Sequence, residues 1–344
     1  SRGLGDVYKR QTLLGPSGCG KTTTLMSIAG LHQIDSGHIS VGGLTYTDPE
    51  HGIFLAPEKR DIGMVFQSYA IWPHMTVAQN VAYPLEIRKI NRGEIDDRVA
   101  EVLKLVGLSD FSDKLATQLS GGQQQRASLA RAIVSHPRLL LFDEPLSNLD
   151  LKLREQMRVE LKRIQNEVGI TSVYVTHDQA EALVMSDEII VMSKGVIEQR
   201  GAPLDIYTNP VNRYVSNFIG IANLLDCQVL EVNGAAGAGS GIVKVAQNGE
   251  SMELKCRLGP GVEKGQSAVL SVRPENVRVA RRKGEGGALA GEVSSVVFLG
   301  NCVDARVDWA GFEWKVLGHP RDGLKEGEKV YLNLDPDHTL AVQP

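Results

Sequence analysis

The sequence predicts two domains: an α/β domain built on a mainly parallel sheet, and a smaller all-β domain after it. The chain has 344 residues, about twice the length of a typical domain. Up to about residue 222, short apolar runs alternate with amphipathic stretches, which is typical of strands and crossover helices. From residue 223 onward, Gly- and Val-rich segments alternate with frequent turn signals. We therefore expect domains at residues 12–222 and 223–344.

The composition excludes several classes of protein. Lys and Arg number 37 against 41 Asp and Glu, and aromatic residues make up 5%, which argues against a nucleic-acid-binding or anionic-membrane surface. The four cysteines are too widely spaced for a CxxC pair and too few for a disulfide framework, which favours a reducing cytosol. The charge-free stretch 62–85 contains several polar residues and two prolines, so it is not predicted to be a membrane helix.

The first motif, GPSGCGKT at residues 15–22, has the form GxxxxGK[ST] of a phosphate-binding loop. It follows an apolar run and precedes an amphipathic helix predicted over residues 23–29. The glycines let backbone amides surround a phosphate, and the helix N-terminus adds a favourable field. Lys21 is expected to reach the β- and γ-phosphates of ATP, and Thr22 to bind Mg²⁺. The residues expected to contact nucleotide are Gly15, Pro16, Ser17, Gly18, Cys19, Gly20, Lys21, Thr22 and Thr23.

A second motif, LSGGQQQR at residues 119–126, lies in a mainly helical stretch, about 68–135, inserted between strands. Ser120 and two glycines open a helix predicted over residues 123–135, which makes a second anion-binding helix N-terminus. One nucleotide does not need two phosphate cradles from one subunit. We therefore expect this motif to contact ATP held on a second copy of the chain, through Ser120, Gly121, Gly122 and Gln123.

The third motif lies in RLLLFDEPLSNLD, residues 138–150. A strand predicted over residues 139–142 ends at Asp143, which would hold Mg²⁺ through its water shell. Glu144 follows at the carboxyl end of the strand, where a carboxylate can accept a proton from water attacking the γ-phosphate. Apolar residues at spacings of three and four then predict a helix over residues 151–168. Buried strands are predicted at residues 172–175 and 188–192.

The β domain contains an internal repeat of the form Gly, three residues, Gly, an alternating strand and a Pro-acid pair. The positions Gly261, Gly265, Leu270, Val272, Pro274 and Glu275 recur as Gly323, Gly327, Leu332, Leu334, Pro336 and Asp337. This predicts two half-barrels packed as one unit. Two stretches rich in Gly, residues 233–241 and 281–287, are predicted to be loops.

In combination, these motifs resemble the ATPase subunits of ATP-binding-cassette (ABC) transporters, from Thr12 to the C-terminus. The resemblance implies an α/β P-loop NTPase fold with a helical subdomain, followed by a small OB-like TOBE domain. It further implies that Gln67 in VFQSY approaches Mg²⁺ and the attacking water, that His177 in YVTHDQAEA contacts the γ-phosphate, and that Asp150 crosses a dimer interface. The catalytic set is then Glu144, His177 and Gln67, and the metal set Thr22, Gln67 and Asp143.

Two longer segments, VFQSYAIWPHMTVAQNV and FDEPLSNLDLKLREQMR, resemble importer subunits for polyamines, ferric iron, phosphonates and sugars, and LSVRPENVRV resembles the TOBE domain. This resemblance implies a homodimeric ATPase that uses ATP and Mg²⁺ and drives a transmembrane permease, with residues 69–75 at the permease contact. A solute-binding protein is an indirect partner, and no nucleic acid is expected. The expected location is the cytoplasmic face of the plasma (inner) membrane, and the favoured solutes are polyamines (spermidine or putrescine) or ferric iron.

Three other functions stay open at this point. One is an ABC ATPase that does not serve transport, and another is a nucleotide-binding regulatory subunit with little turnover. The third is a P-loop kinase or GTPase, although it leaves LSGGQ unexplained and the sequence has no NKxD motif.

The N-terminus departs from the family pattern. Residues 1–11, SRGLGDVYKRQ, do not resemble the family, and fewer residues precede Gly15 than is usual for it. Tyr8 is too close to the phosphate loop to be the aromatic residue that stacks on adenine in the family. We therefore expect residues 1–11 to be a non-native leader, and an edge or a face of the sheet to be uncovered.

Overall fold

The computed structural model describes residues 10–234, 239–282 and 289–344. Most of the predicted leader and parts of both predicted loops lie outside these described residues. The chain divides into two compact units, Ser1–Pro203 and Leu204–Pro344. The domain boundary expected at residues 222 and 223 stays a prediction.

A six-stranded sheet organises the first unit, in the order β5-β6-β7-β1-β8-β9, and only β9 runs antiparallel to its neighbour. Its strands are β1 Arg10–Leu14, β5 Ile62–Val65, β6 Leu139–Asp143, β7 Ser172–Thr176, β8 Glu188–Ser193 and β9 Val196–Gly201. All five residues of β6 are buried. Leu139 and Leu141 pack into one apolar cluster, whereas Leu140 and Phe142 pack into another. Both faces of the sheet are therefore covered, as parallel sheets require.

The helices of the first unit are α1 Lys21–Ala29, α2 Val77–Ile87, α3 Arg92–Leu105, α4 Gly121–Ile133, α5 Leu151–Val168 and α6 Gln179–Met185. Helices α2, α3 and α4 all lie between residues 68 and 135. Helix α5 has the bounds that its apolar spacing predicts, whereas α1 begins two residues before its predicted start because Lys21 and Thr22 already belong to its first turn. None of the described helices is long and apolar enough to cross a membrane.

The start of β1 overlaps the predicted leader by two residues. Arg10 and Gln11 pair with β7 and β8. The Arg10 guanidinium donates to Asp187 Oδ1 at 2.5 Å, and Gln11 Nε2 donates to Glu188 Oε2 at 2.6 Å. These two residues are therefore integral to the sheet.

A small antiparallel sheet also belongs to the first unit, with strands β2 Ile39–Val41, β3 Leu44–Asp48 and β4 Ile53–Phe54. An open groove of about 1050 Å³ runs between β2 and α1 and reaches Leu139 and Val173 of the large sheet. Strand β2 is an edge strand of the small sheet. Open sheets have edge strands in any case, so the uncovered edge or face expected from the sequence stays a prediction.

The second unit holds two short helices and ten strands among its described residues. The helices are α7 Pro203–Thr208 and α8 Arg213–Phe218. A closed barrel is formed by β10 Asn223–Asn233, β11 Ser240–Gln247, β12 Glu250–Leu258, β13 Ser267–Val272 and β19 Thr339–Val342. A five-stranded sheet is formed by β14 Val277–Ala280, β15 Leu289–Phe298, β16 Val303–Trp309, β17 Phe312–Gly318 and β18 Lys329–Leu334. One apolar cluster contains residues of both.

The internal repeat of the sequence is confirmed in the second unit. Each copy forms a strand, a short 3₁₀ turn that begins at its proline, and a second strand: β13 with β14, and β18 with β19. The two copies exchange partners, because β13 pairs with β19 in the barrel and β14 pairs with β18 in the sheet. Each half therefore completes the other.

Candidate nucleotide-binding and hydrolysis site

The loops that carry the motifs leave the large sheet at one edge. In the strand register, Leu14 of β1 lies beside Thr176 of β7, and Asp143 of β6 lies beside Val175. Because β1, β5, β6 and β7 are parallel, their carboxyl ends meet at this edge, which is where open α/β sheets bind ligands. Asp143 is the last residue of β6, and the phosphate loop, Gln67, Glu144 and His177 follow the ends of these strands.

The phosphate loop joins β1 to α1. Gly18 and Gly20 have φ of 80° and 101°, a left-handed backbone that glycine adopts without a steric penalty. Gly20 is the N-cap of α1 and has no side chain to accept a hydrogen bond, so no capping side chain occupies the backbone amides of the first turn. Lys21 is 5% exposed, and its Nζ donates to the carbonyl oxygens of Gly15 at 2.8 Å and Pro16 at 3.0 Å. The ammonium group therefore lies inside the loop, beside the amides expected to hold phosphate.

Thr22 and Asp143 are brought together from separate motifs. The Thr22 hydroxyl donates to Asp143 Oδ1 at 3.3 Å. Burial raises the pKa of Asp143, and the Glu144 carboxylate raises it further, while the Thr22 hydrogen bond and the Lys21 charge lower it. Hydroxyl and carboxylate oxygens are ligands that Mg²⁺ prefers. This pair of donors therefore fits a magnesium site, and a bound cation would stabilise the ionised Asp143 carboxylate.

Glu144 faces His177 across the edge of the sheet. Glu144 has φ of 44° although it is not a glycine, and its amide donates to the Val175 carbonyl at 3.0 Å. Its Oε2 lies 3.0 Å from His177 Nδ1, and the two side chains are 20% and 53% exposed. Strained backbone conformations concentrate at functional sites. Here the unusual φ accompanies a carboxylate and an imidazole in direct contact, with access to solvent.

Gln67 and Asp150 are linked through the segment after Glu144. Asn148 Nδ2 donates to the Gln67 carbonyl at 2.8 Å, so the loop after β5 is tied to the segment after β6. Asp150 caps α5, and its Oδ1 accepts from the Leu153 amide at 3.0 Å. Arg154 of α5 donates to the Leu149 carbonyl at 3.1 Å and holds that segment from the other side.

Ser120 opens α4 with a reciprocal capping arrangement. The Gln123 amide donates to Ser120 Oγ at 3.4 Å, and the Ser120 amide donates to Gln123 Oε1 at 2.9 Å. A Cβ at Gly122 would lie 3.2 Å from Leu153 of α5, so glycine permits the close packing of the two helices. Across the described residues, no hydrogen bond or ion pair joins Ser120 to the phosphate loop or to Glu144.

The site residues predicted from sequence therefore form two groups. The first comprises the phosphate loop with Asp143, Glu144 and His177; Gln67 and Asp150 connect to it through the segment 147–149. The second is the N-terminus of α4. Asn148 and Arg154 lie in the segment FDEPLSNLDLKLREQMR, but the sequence did not single them out, because each donates to a backbone carbonyl and such contacts leave no side-chain pattern.

Comparison with protein families identifies both units. The family described as "ABC transporter" matches residues 8–147, and the family described as "TOBE domain" matches residues 270–342. The solved structure of cbiO1 from Clostridium perfringens, described as part of the ABC transporter complex cbiONQ, resembles the chain with a TM-score of 0.52 and 30% identity. The match covers 58% of this chain and 78% of that one.

Several named proteins are similar to the chain over most of their length. The spermidine/putrescine import ATP-binding protein PotA of Clostridioides difficile is 43% identical over 334 residues, 96% of this chain and 90% of that protein. PotA of Thermobifida fusca is 48% identical over 338 residues, covering 96% and 84%. The trehalose/maltose import ATP-binding protein MalK of Thermococcus litoralis is 49% identical over 267 residues, covering 77% and 70%. The chain therefore belongs to the ATP-binding subunits of ABC importers, an ATPase family in which a P-loop NTPase domain precedes a TOBE domain.

Proposed function

We propose that two copies of the chain bind two molecules of MgATP between them and hydrolyse the nucleotide to drive polyamine import through a membrane permease. Each nucleotide lies between the Lys21 loop of one copy and the Ser120 helix end of the other. The dimer is peripheral, held at the cytoplasmic face of the plasma membrane by its permease. A solute-binding protein delivers the polyamine to that permease.

The contact between Glu144 and His177 carries the hydrolytic part of this proposal. Glu144 accepts the proton of the water that attacks the γ-phosphate, and it directly follows Asp143, whose carboxylate accepts a hydrogen bond from Thr22 of the phosphate loop. His177 Nδ1, 3.0 Å from the carboxylate, orients Glu144 and adds a polar contact to the γ-phosphate. Thr22, Asp143 and Gln67 hold Mg²⁺, which neutralises charge on the β- and γ-phosphates when it is bound.

The arrangement of α4 supports the homodimer. Its N-terminus is a second anion-binding end, yet it packs against α5 and has no hydrogen bond to the phosphate loop of its own chain among the described residues. In a dimer with a two-fold axis, both subunits present the same surface to each other. Each copy therefore supplies its α4 N-terminus to the nucleotide on the phosphate loop of the other copy, and both sites are completed together.

The names of the relatives support the solute class. Two PotA proteins that match 96% of the chain are named for spermidine and putrescine import, whereas the MalK relative, named for trehalose and maltose, matches 77%. Polyamines are therefore the solutes that we propose, in preference to sugars.

Glu144→Gln tests the catalytic assignment, because it keeps the shape of the side chain and removes its basicity. We expect the ATPase rate to fall by about 10²- to 10⁴-fold while ATP affinity stays within about twofold. The rate is measured as phosphate release, and affinity by titration with a fluorescent ATP analogue. Glu198→Gln, on the distant strand β9, is the control and should hydrolyse ATP at the normal rate.

An equal rate in Glu144→Gln and the unchanged protein would contradict the catalytic assignment. If both rates were negligible while ATP still bound, the result would instead support a regulatory nucleotide-binding subunit.

A further inference from the structure

The loop that carries Gln67, residues 67–72, contains two consecutive left-handed residues that are not glycine. Tyr69 has φ of 62° and Ala70 has φ of 49°. A side chain with a Cβ disfavours this conformation, so it persists only where the surroundings impose it. The Ala70 side chain is exposed, so packing around its methyl group does not impose it.

The surroundings that impose it are two side chains of α4. Ser128 Oγ donates to the Tyr69 carbonyl at 2.8 Å. Arg131 donates to the same carbonyl at 3.2 Å and to the Ala70 carbonyl at 2.8 Å. The Arg131 guanidinium also lies 4.5 Å from the centre of the Trp72 ring. Three hydrogen bonds and one cation–π contact therefore converge on this loop from a single helix.

Both donors, Ser128 and Arg131, are buried where they contact the loop. Ser128 is fully buried and Arg131 is 9% exposed, and burial lowers the pKa of Arg131. A buried guanidinium is costly without partners, so losing the loop carbonyls would leave it poorly satisfied. On the opposite side, Asn148 holds the Gln67 carbonyl. The backbone of the loop is therefore fixed both by the helix that begins at Ser120 and by the segment that precedes Asp150.

We propose that Ser128 and Arg131 are positioning residues for Gln67: they hold Tyr69 and Ala70 in the left-handed conformation and thereby link the Ser120 helix to the loop that senses the nucleotide. This inference rests on the proposed role of Gln67 at the magnesium and water site. We call the contacts of Ser128 and Arg131 with the loop the clamp. The clamp is expected to affect the rate of ATP hydrolysis and not the affinity for ATP, because the phosphate loop lies between β1 and α1 and does not contain these residues.

The test uses Arg131→Lys in the whole chain. Lysine keeps the positive charge but lacks the planar guanidinium group, which donates to two carbonyls at once. We expect kcat for ATP hydrolysis to fall by about tenfold to a hundredfold while KM for ATP stays within about twofold. Arg163→Lys is the matched control, since Arg163 on α5 also donates to a backbone carbonyl, that of Leu105 at 2.9 Å, and this variant should keep the normal kcat.

A rescue experiment separates positioning from general stability. Glycine adopts the left-handed conformation freely, so Ala70→Gly added to Arg131→Lys should recover most of the lost kcat. Ala70→Gly alone should stay close to the unchanged protein. Ser128→Ala, a smaller change, should lower kcat in the same direction, and its effect should be non-additive with Arg131→Lys because both donors share the Tyr69 carbonyl.

Fluorescence quenching follows the loop directly. Of the three tryptophans, Trp309 and Trp314 are 4% and 0% exposed, so quenching by acrylamide reports mainly on the partly exposed Trp72. Arg131→Lys should increase the quenching of Trp72, and Ala70→Gly should reduce that increase. Arg163→Lys should leave it unchanged.

A normal kcat in both Arg131→Lys and Ser128→Ala, or a failure of Ala70→Gly to restore kcat, would overturn the clamp. Gln67→Ala separates this from the proposed function. If Gln67→Ala hydrolyses ATP normally, the role of Gln67 is wrong; if it loses activity while the clamp variants keep theirs, only the clamp is wrong.

Discussion

At the scale of single residues, the site depends on charges that are held close together in a partly buried edge of the sheet. Asp143 is 9% exposed and lies beside Glu144, whose charge opposes its ionisation, while the Thr22 hydroxyl and the Lys21 ammonium favour it. Burial has the largest effect and raises the pKa of Asp143. The ionised Asp143 is therefore costly until a cation binds.

This raised pKa gives a pH dependence with a defined sign. In the folded state Asp143 holds its proton to higher pH than in the unfolded chain, so its contribution to stability is complete below its usual pKa and is lost as pH rises through the raised value. Asp143→Asn removes this dependence. Without Mg²⁺, the variant should gain stability over the unchanged protein as pH rises through that window, by at most about 1.4 kcal/mol per pH unit.

Urea denaturation in a chelating buffer at a series of pH values measures this difference. Adding Mg²⁺ should reduce it, because the cation stabilises the ionised Asp143 in the unchanged protein only. A difference in unfolding free energy that is independent of pH would contradict the assignment of the raised pKa to Asp143.

The sequence predicted candidate residues for the site but not all of the contacts that the structure gives them. Glu144 was predicted from its place at the end of a strand and His177 from the family resemblance, and the parallel pairing of β6 and β7 brings the two side chains to 3.0 Å. Ser128 and Arg131 gave no such signal, because their partners are backbone carbonyls that are distant in sequence. Pattern and motif report ligand-binding residues, whereas hydrogen bonds between distant segments depend on the tertiary fold.

At the scale of elements, α1 is anchored at its carboxyl end while its amino end faces the phosphate loop. Arg60 is fully buried and donates to the carbonyls of Ser27 and Ile28, at 2.8 and 2.9 Å, in the last turn of the helix. It also donates to the Leu55 carbonyl and to the Thr47 hydroxyl of β3. A cation at this end is favoured by the helix dipole. Arg60 therefore ties α1 to the small sheet.

Replacing this anchor should destabilise the first unit. Arg60→Met keeps much of the side-chain volume but leaves several buried carbonyls without a donor, so we expect the free energy of unfolding to fall by about 3 kcal/mol or more. Urea denaturation followed by circular dichroism gives the value. In the control Arg200→Met, an exposed arginine loses its ion pair with Glu188, and the cost should stay within about 1 kcal/mol. Equal costs in the two variants would show that Arg60 is not an anchor.

Element bounds followed the sequence most closely where periodicity was strong. The spacing of apolar residues gave α5 its observed bounds, 151–168. Strand β6 covers the predicted residues 139–142 and ends at Asp143, as the sequence predicts. Strands β7 and β8 each extend one residue beyond their predicted ends, 175 and 192.

At the scale of the whole molecule, duplication occurs within the second unit and, as we propose, between two copies of the chain. Within the second unit, the internal repeat is completed by exchange, since β13 pairs with β19 and β14 with β18. The sequence predicted the two halves, but the exchange followed only from the strand pairing. Between molecules, we propose the same logic for the first unit: the Lys21 loop and the Ser120 helix end each form half of a phosphate-binding site, and no hydrogen bond joins them within one chain among the described residues.

Ser120→Arg isolates the second of these halves. A bulky cation at the start of α4 should block the interface between copies and reduce ATP hydrolysis to background. Binding of ATP to the single chain should stay within about twofold, because the Lys21 loop is unchanged. Loss of nucleotide binding by the single chain would contradict the assignment of Ser120 to the opposite site, and titration with a fluorescent ATP analogue distinguishes the two results.

In the proposed mechanism, ATP itself joins two copies of the chain. The most direct measurement is the molar mass of Glu144→Gln in solution with and without ATP, by light scattering after size exclusion. We expect one chain without nucleotide and two chains with ATP, and a single chain with ATP still bound when Ser120→Arg is added to Glu144→Gln. A Glu144→Gln protein that binds ATP and stays a single chain would contradict it.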